Sequence, residues 1–202
     1  MDRTQRRIEF FDERAKGWDE YAKHDETKIE LILDRIGINK GDKILDVGCG
    51  NGILTPFLLK RITSTGSILA IDVSPKMIEV ARSKYAHKNV TFICDDIQTM
   101  HLDPTQFNVI IFYSMFPHID NKRRVISRCA RFLSPGGRLS ICHSDPRYKI
   151  VQIHKRRRDS RISEDIFPPL SEILDYVNEA ELATIYKQDD DEMFVVVAKL
   201  CR

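Results

Sequence analysis

Short apolar runs rich in β-branched residues recur along the chain, and segments with helical spacing separate most of them. Seven runs have the length and composition of strands: Ile44–Val47, Ile68–Ile71, Val90–Cys94, Val109–Phe112, Leu139–Cys142, Ala183–Tyr186 and Phe194–Ala198. Helical segments follow the early runs, as at residues 53–62 and 77–85. This alternation predicts an α/β fold with a doubly wound, mostly parallel sheet, whose strands are buried on both faces.

Both ends of the chain depart from this alternation. The link Lys187–Glu192 is too short for a crossover helix, so we expect the seventh strand to be antiparallel. About forty residues precede the first strand and are typical of two helices, one through Phe10–Trp18 and one through Ile29–Ile36. Gly37 is a natural stop for the second. Residues 1–40 are therefore predicted to form a helical cap.

A long polar connection, Asp145–Pro169, separates the fifth strand from a predicted helix at Ser171–Glu181. Connections of that length in compact domains are usually functional, so we expect residues 145–169 to be a lid insertion. With 202 residues, 42% of them hydrophobic, the chain can build one sizeable core. We predict a single domain over residues 1–202.

The charge balance and the cysteines limit the partners. The chain has 32 basic and 30 acidic residues, so its net charge of +2 gives no general attraction to nucleic acid or membranes. The longest apolar runs fall far short of the roughly 20 residues that cross a bilayer, and the first residues lack the apolar stretch of a signal peptide. Five cysteines, an odd number with no CxxC pair, favour reduced thiols. We expect a cytoplasmic protein with no membrane partner.

A glycine-rich turn lies between the first strand and the next helix. Gly48, Gly50 and Gly52 alternate there, and they let the backbone turn tightly and approach a ligand without interference from Cβ atoms. The dinucleotide pattern G-x-G-x-x-G is not met, because Ile53 takes the place of its third glycine. No Walker sequence follows the turn. The turn nevertheless predicts a ligand held against the backbone.

Acidic residues close the first three strands. Asp72 ends the second strand twenty residues after Gly52, the distance at which an acid reaches the hydroxyls of a ribose. Asp96 follows the third strand, where its carboxylate and the N–H of Ile97 are available to an adenine. Together with Asp46, these carboxylates would repel a pyrophosphate and suit a positively charged nucleoside.

These sequences resemble the class I S-adenosylmethionine (SAM)-dependent methyltransferases over nearly the whole chain. The segments that carry the resemblance are Ile44–Gly52, Ile71–Met77, Cys94–Ile97 and the turn Leu133–Gly137 before the fifth strand. The stretch from Phe10 to Tyr21 resembles the N-terminal helix that caps the cofactor in small-molecule methyltransferases. The resemblance implies a seven-stranded sheet with the last strand antiparallel, SAM as cofactor and S-adenosylhomocysteine as product.

The resemblance also implies cofactor contacts. Methionine contacts fall on Asp46, Gly48 and Gly50, the ribose contact on Asp72, adenine-face contacts on Val73 and Met77, and adenine-edge contacts on Asp96 and Ile97. Asp95 fits the adenine edge less well than its neighbour. Simpler roles exist: Asp46 could cap the next helix, and Cys49 could merely fill the turn.

The methyl acceptor should bind beyond the fourth strand, because ligands lie outside the carboxyl ends of such strands. Tyr113 and His118 follow that strand, and His143 ends the fifth; these three are the candidate catalytic residues. The signature Asn/Asp-Pro-Pro-Tyr/Phe of nucleic-acid amino-methyltransferases is missing, which argues against base methylation. His118 could instead be a capping or packing residue.

His154 lies in the long connection and could join His118 and His143 at this rim. The three could act on a proton or bind a metal, but no helical spacing fixes their geometry, so we expect no metal. His24, His87 and His101 are interpreted as surface residues.

The run Lys155–Arg158, with Arg161, allows three interpretations: a solvated helix face, lid cations that attract an anionic acceptor, or a contact to RNA phosphates. No interleaved aromatic residues accompany it, so we expect no nucleic-acid partner. The sequence thus predicts SAM-dependent methylation of a small molecule at a heteroatom by a monomer or homodimer. The alternatives are an RNA or protein methyltransferase and a non-catalytic SAM-binding module.

Overall fold

The structure is a computed structural model that describes residues 3–156, 159 and 161–201. Among these residues the strands are β1 (Lys43–Val47), β2 (Ser67–Asp72), β3 (Val90–Cys94), β4 (Phe107–Tyr113), β5 (Leu133–His143), β6 (Leu182–Asp189) and β7 (Phe194–Leu200). Each of them contains one of the seven runs predicted from the sequence.

The seven strands form one sheet in the order β3-β2-β1-β4-β5-β7-β6. The strands from β1 to β5 pair in parallel, whereas β7 is antiparallel both to β5 and to β6. The doubly wound, mostly parallel sheet with an antiparallel last strand is therefore confirmed. The strand order reverses between β1 and β4, which places a crevice at the carboxyl ends of these two strands.

Helices cover both faces of the sheet. In the described part of the chain they are α1 (Arg3–Arg14), α2 (Trp18–Tyr21), α3 (Glu26–Ile36), α4 (Thr55–Ile62), α5 (Pro75–Lys84), α6 (Lys122–Ala130), α7 (Arg147–Arg156) and α8 (Leu170–Glu179). Apolar side chains of α3, α4 and α5 form one buried cluster with the sheet, and those of α6 and α8 form the other. The inner strands β1, β4 and β7 and the second half of β5 thus bury both sets of their side chains, as the near-continuous apolar runs predict. The edge strands β3 and β6 differ from the prediction, because only one helical layer or neighbouring strand covers them and much of their surface stays exposed.

Local sequence signals set several helix ends. The side chains of Asp25, Ser74 and Asn121 accept hydrogen bonds from backbone N–H groups in the first turns of α3, α5 and α6. Gly37 ends α3 in a left-handed conformation with φ of 73°, as predicted.

Three boundaries differ from the sequence prediction. The first predicted helix stops at Arg14, because residues 15–17 form a 3₁₀ turn that redirects the chain into α2. The connection 145–169 is not a continuous loop but contains α7. Residues 133–137 belong to β5 rather than to a separate turn, and the β4–β5 register shifts between Phe107 and Val109 to accommodate them.

Among the described residues, all five cysteines are free thiols, and none of the helices has the length and apolar character needed to cross a membrane.

Helix α3 allows a test of the packing with two leucines. Leu33 is fully buried and Leu31 is 43% exposed. We expect Leu33→Ala to lower the free energy of unfolding by about 2–5 kcal/mol, because it leaves a cavity between α3 and the sheet. The same change at Leu31 should cost less than about 1 kcal/mol. Urea denaturation of both variants measures the difference; equal losses would contradict the assigned face of α3.

Candidate functional site

A cavity of about 240 Å³ lies at the carboxyl ends of β1, β2, β4 and β5, where the strand order reverses. It gathers residues from both halves of the predicted site: Gly48, Gly50, Asp72, Val73, Met77, Asp96, Ile97, Tyr113, His118 and His143 all line it. His154, from α7, lines it as well. The groups predicted to hold a cofactor and those predicted to meet an acceptor therefore share one cavity.

The glycine turn after β1 is held tightly against β2. The N–H groups of Gly48 and Cys49 both donate to the carbonyl of Ile71, at 2.8 and 3.0 Å. Gly48 has φ of 69°, and a Cβ atom there would lie 2.6 Å from the side chain of Met115. Gly50 has φ of 54°, and a Cβ atom there would lie 3.9 Å from the indole nitrogen of Trp18. The turn therefore requires glycine at position 48 and leaves open space beside position 50.

The carboxylate of Asp72 is fixed by the same turn. Its two oxygens accept hydrogen bonds from the backbone N–H groups of Gly50 and Ser74, each at 2.9 Å. Burial raises the pKa of Asp72, although these two bonds act in the opposite direction. Asp96 lies across the cavity, where one of its oxygens accepts from the N–H of Gln98 at 2.8 Å. Both carboxylates have lone pairs left for a ligand.

Asp46 is the predicted cofactor residue that does not line the cavity. It is buried near the end of β1, and its Oδ2 has no hydrogen-bond partner among the described residues. Burial and the nearby charge of Asp72 raise the pKa of Asp46 to about 7. The buried carboxyl of Asp46 thus lies close enough to the half-buried Asp72 for the charge of Asp72 to disfavour its ionisation.

Tyr113 connects the ends of β4 and β5. Its hydroxyl donates to the Ser144 hydroxyl at 3.0 Å and lies 2.9 Å from Nδ1 of His24. Burial raises the pKa of Tyr113, so its hydroxyl stays protonated at neutral pH.

The interpretation of His24 as a surface residue is wrong. The imidazole is half-buried, lines the cavity and stacks at a tilt on the ring of Tyr113. Burial lowers the pKa of His24. Its position follows from the turn between α2 and α3, which a pattern of apolar spacing does not reveal. His87 and His101 are exposed, as expected.

Two of the three rim histidines stack on one another. The rings of His118 and His154 have centroids 5.3 Å apart and an interplanar angle of 25°. Nδ1 of His118 lies 2.5 Å from Oδ2 of Asp165, and Nδ1 of His154 lies 3.2 Å from the Asp165 carbonyl. Within residues 3–156, 159 and 161–201, no three His, Cys, Asp or Glu side chains are arranged to bind a metal.

His143 is buried against the ring of Phe167, with centroids 4.8 Å apart. Its Nε2 has no hydrogen-bond partner among the described residues. Burial, together with the neighbouring histidines, holds the pKa of His143 well below its usual range. The imidazole is therefore neutral at pH 7.

A buried ionic cluster, which the sequence pattern does not indicate, lies beside His118. Arg7 of α1, only 4% exposed, donates to Oδ1 of Asp165 and to both carboxylate oxygens of Asp120. Burial acts to raise the pKa of Asp165, but His118 and Arg7 outweigh it and lower the pKa to about 2. These residues are far apart in the chain, and no motif surrounds them.

The N-terminal helices cover the cavity. Phe11 of α1 places its ring edge-on to His118, with centroids 5.1 Å apart. Asp12 accepts a hydrogen bond of 2.5 Å from the hydroxyl of Ser74, and Asp19 accepts one of 2.6 Å from Asn51. The contacts of α1 and α2 thus reach both the glycine turn and the rim histidines.

The basic run has few described side chains. Lys155 is exposed on α7, whereas residues 157 and 158 lie outside the described residues. Arg161 is engaged in ion pairs with Glu13 at 2.8 Å and with Asp159 at 2.7 Å. Arg161 therefore serves to hold the connection against α1.

Comparisons with known proteins agree with the methyltransferase resemblance of the sequence motifs. A family model described as a methyltransferase domain matches residues 44–137. A malonyl-[acyl-carrier protein] O-methyltransferase of Acetivibrio thermocellus is 32% identical over 164 residues, which cover 79% of this chain and 57% of that protein. A ubiquinone biosynthesis O-methyltransferase of Coxiella burnetii is 34% identical over 116 residues, 56% of this chain and 47% of that protein. The chain spans about half the length of these curated relatives.

Two solved structures share the fold. A SAM-dependent methyltransferase from Aquifex aeolicus aligns with a TM-score of 0.72 and 21% identity over 94% of this chain and 98% of its own. The methyltransferase in complex with the Trm112 activator of Haloferax volcanii aligns with a TM-score of 0.76 and 18% identity over 95% and 98%. Taken with the glycine turn, the family model and the sequence matches show that residues 44–137 form a methyltransferase domain, and the two solved structures show that the chain as a whole has the fold of the class I SAM-dependent methyltransferases.

Proposed function

We propose that this protein binds SAM in the cavity and catalyses transfer of its methyl group to a heteroatom of a small molecule. The observation that supports this most directly is that one cavity joins the glycine turn to His118, His143 and Tyr113. A non-catalytic binding module would need only the first half. A macromolecular acceptor, RNA or protein, would need a large groove beside the cavity and, for RNA, a basic surface whose binding depends strongly on salt.

The residues present suit SAM. In the proposal, Gly48 and Gly50 contact the methionine part, Asp72 the ribose, Val73 and Met77 the adenine face, and Asp96 with Ile97 the adenine edge; Asp46 acts from behind the turn through its charge. When bound, SAM supplies a methyl group on a positively charged sulfur. The buried carboxyl of Asp46 and the half-buried carboxylate of Asp72 complement that charge when they are ionised.

The acceptor half of the cavity combines proton acceptors with apolar surface. His118 takes the proton of the acceptor heteroatom, and neutral His143 and protonated Tyr113 orient the acceptor. Ile119, Ile150 and Ile153 line the same region, which suits a largely apolar molecule. Because the two relatives above are O-methyltransferases by name, we favour oxygen as the acceptor heteroatom.

In the proposal, the N-terminal cap at residues 1–40 and the lid at 145–169 exclude water from the reaction. Both belong to one domain that spans residues 1–202, and the protein is active as a monomer or homodimer. The product left in the cavity is S-adenosylhomocysteine.

Two measurements test the proposal. Calorimetry with SAM should give saturable binding, and NADH should not compete with it. Labelled SAM with phenols, quinol precursors, thiols and amines should then identify an acceptor. Binding of the nicotinamide cofactor in place of SAM would refute the family-based assignment of the cavity, whereas transfer to polynucleotide with strong salt dependence would favour an RNA enzyme.

Asp72 provides a test of the ribose contact. We expect Asp72→Ala to weaken SAM binding by about 1–3 kcal/mol, because the ribose hydroxyls lose a buried acceptor. Asp95→Ala is the matched control: Asp95 is exposed at the edge of the cavity, and its loss should change the affinity by less than twofold, within about 0.4 kcal/mol. Calorimetric titration measures both; a larger loss at Asp95 would reverse the assignment.

Asp46 predicts a pH dependence of SAM binding. Its carboxyl, with a pKa of about 7, gains charge as the pH rises from 6 to 8, and the negative form favours a cation nearby. The affinity for SAM should therefore rise over this interval, by up to about tenfold. Asp46→Asn should remove this rise and leave only the titration of SAM itself. An unchanged pH profile in the variant would contradict the role of Asp46.

His118 is tested by turnover. We expect His118→Ala to lower kcat by about 10²–10⁴-fold, the usual contribution of a proton acceptor, with SAM affinity within about twofold of wild type. His101→Ala, the same change at an exposed histidine, is the control. Wild-type kcat in the His118 variant would remove that residue from the mechanism.

A further inference from the structure

We propose that Asp165 is a positioning residue for His118 and that Arg7 of α1 fixes the Asp165 carboxylate in the orientation this requires. The inference rests on the proposed function, in which His118 accepts the proton of the methyl acceptor. Neither Asp165 nor Arg7 belongs to any of the motifs found in the sequence.

The two carboxylate oxygens of Asp165 have different partners. Oδ2 lies 2.5 Å from Nδ1 of His118, and Oδ1 accepts from Nε and Nη2 of Arg7 at 3.0 and 2.6 Å. The Asp165 side chain is 2% exposed and that of Arg7 is 5% exposed, so water does not compete for these contacts. Such a division of partners holds the carboxylate against rotation.

An ionised carboxylate can only accept hydrogen bonds, so the proton in the contact with Oδ2 must lie on Nδ1 of His118. The neutral imidazole then has its lone pair on Nε2. In the reaction, the proton of the acceptor heteroatom moves to this Nε2. The electron pair of the heteroatom forms the new bond to the methyl carbon, and the sulfur keeps the pair of the bond that breaks.

Arg7 also links this arrangement to the cap. Its guanidinium donates to Asp120 at 2.9 and 2.8 Å as well as to Asp165, and Arg3 of the same helix lies within ion-pair distance of both carboxylates. Phe11, one turn further along α1, contacts the ring of His118. The helix that covers the cavity therefore also holds the group that orients the proton acceptor.

Asp165→Asn gives a sharp test, because Arg7 carries donors only. The amide oxygen must face Arg7, which turns the NH₂ group toward Nδ1 of His118. An NH₂ group can only donate, so Nδ1 must lose its proton and Nε2 must gain it. We therefore expect the variant to reverse the tautomer of neutral His118. Nε2 would then carry the proton, and the lone pair would lie on Nδ1, where it accepts from the amide.

The tautomer is read from ¹⁵N chemical shifts of the histidine-labelled full-length chain at a pH where His118 is neutral, with His118→Gln used to assign its signals. Wild type should show the proton on Nδ1, and Asp165→Asn should show it on Nε2. Asp120→Asn is the matched control: it removes the same charge from Arg7 without contacting His118 and should keep the proton on Nδ1. A wild-type imidazole protonated on Nε2 would overturn the proposal even if the Asp165 variant does not fold.

Activity gives the second measurement, with SAM and the acceptor of highest turnover from the screen. Asp165→Asn should lower kcat by about 10–100-fold and leave KM for SAM within about twofold, and Asp165→Glu should recover part of kcat. Unchanged kcat with a reversed tautomer would refute the role of Asp165 in the reaction. If no acceptor is methylated, the proposed function fails, whereas the tautomer still decides whether Asp165 positions His118.

Discussion

Parallel pairing of β1 with β2 on one side and with β4 on the other is the constraint on which the site depends. Parallel strands end at the same edge of a sheet, so the chain leaves each of them close to where it leaves the next. Asp72 and Tyr113 are far apart in sequence, but they line the same cavity because they end β2 and β4. The polar residues come together because the apolar strands behind them require this pairing.

That edge alone does not complete the cavity. The cap is attached by polar groups, through Asp12 to Ser74 and through Arg7 to Asp165 and Asp120. Burying a guanidinium costs several kcal/mol, which its attraction to two carboxylates offsets only when the geometry is good. Arg7 makes two hydrogen bonds to each carboxylate: one to each oxygen of Asp120, and two to Oδ1 of Asp165. Polar contacts thus fix the position of the cap in addition to the apolar packing of Phe10 and Phe11.

The sequence predicted the sheet well because strands buried on both faces leave a clear apolar signal, and all seven runs lie in strands. The glycine turn and Asp72 were found because their spacing follows from the length of one strand and one helix. Asp165, Arg7 and His24 were missed for one reason: their contacts join segments that are distant in sequence, and a single chain carries no local pattern for them. Most of helix α7 was placed in a polar connection because its mixed composition resembles that of a loop, although a solvated helix face was one interpretation of the run that begins at Lys155.

The pairing of Arg7 with Asp165 spans 158 positions of the chain. During synthesis α1 leaves the ribosome well before Asp165 has been made, so until then Arg7 has only Asp120 as a carboxylate partner. The last ionic contact of α1 is therefore made after the strands β1 to β5 have been translated. A nascent chain halted before residue 165 could hold α1 through Asp120 and Ser74, but Nδ1 of His118 would lack its carboxylate.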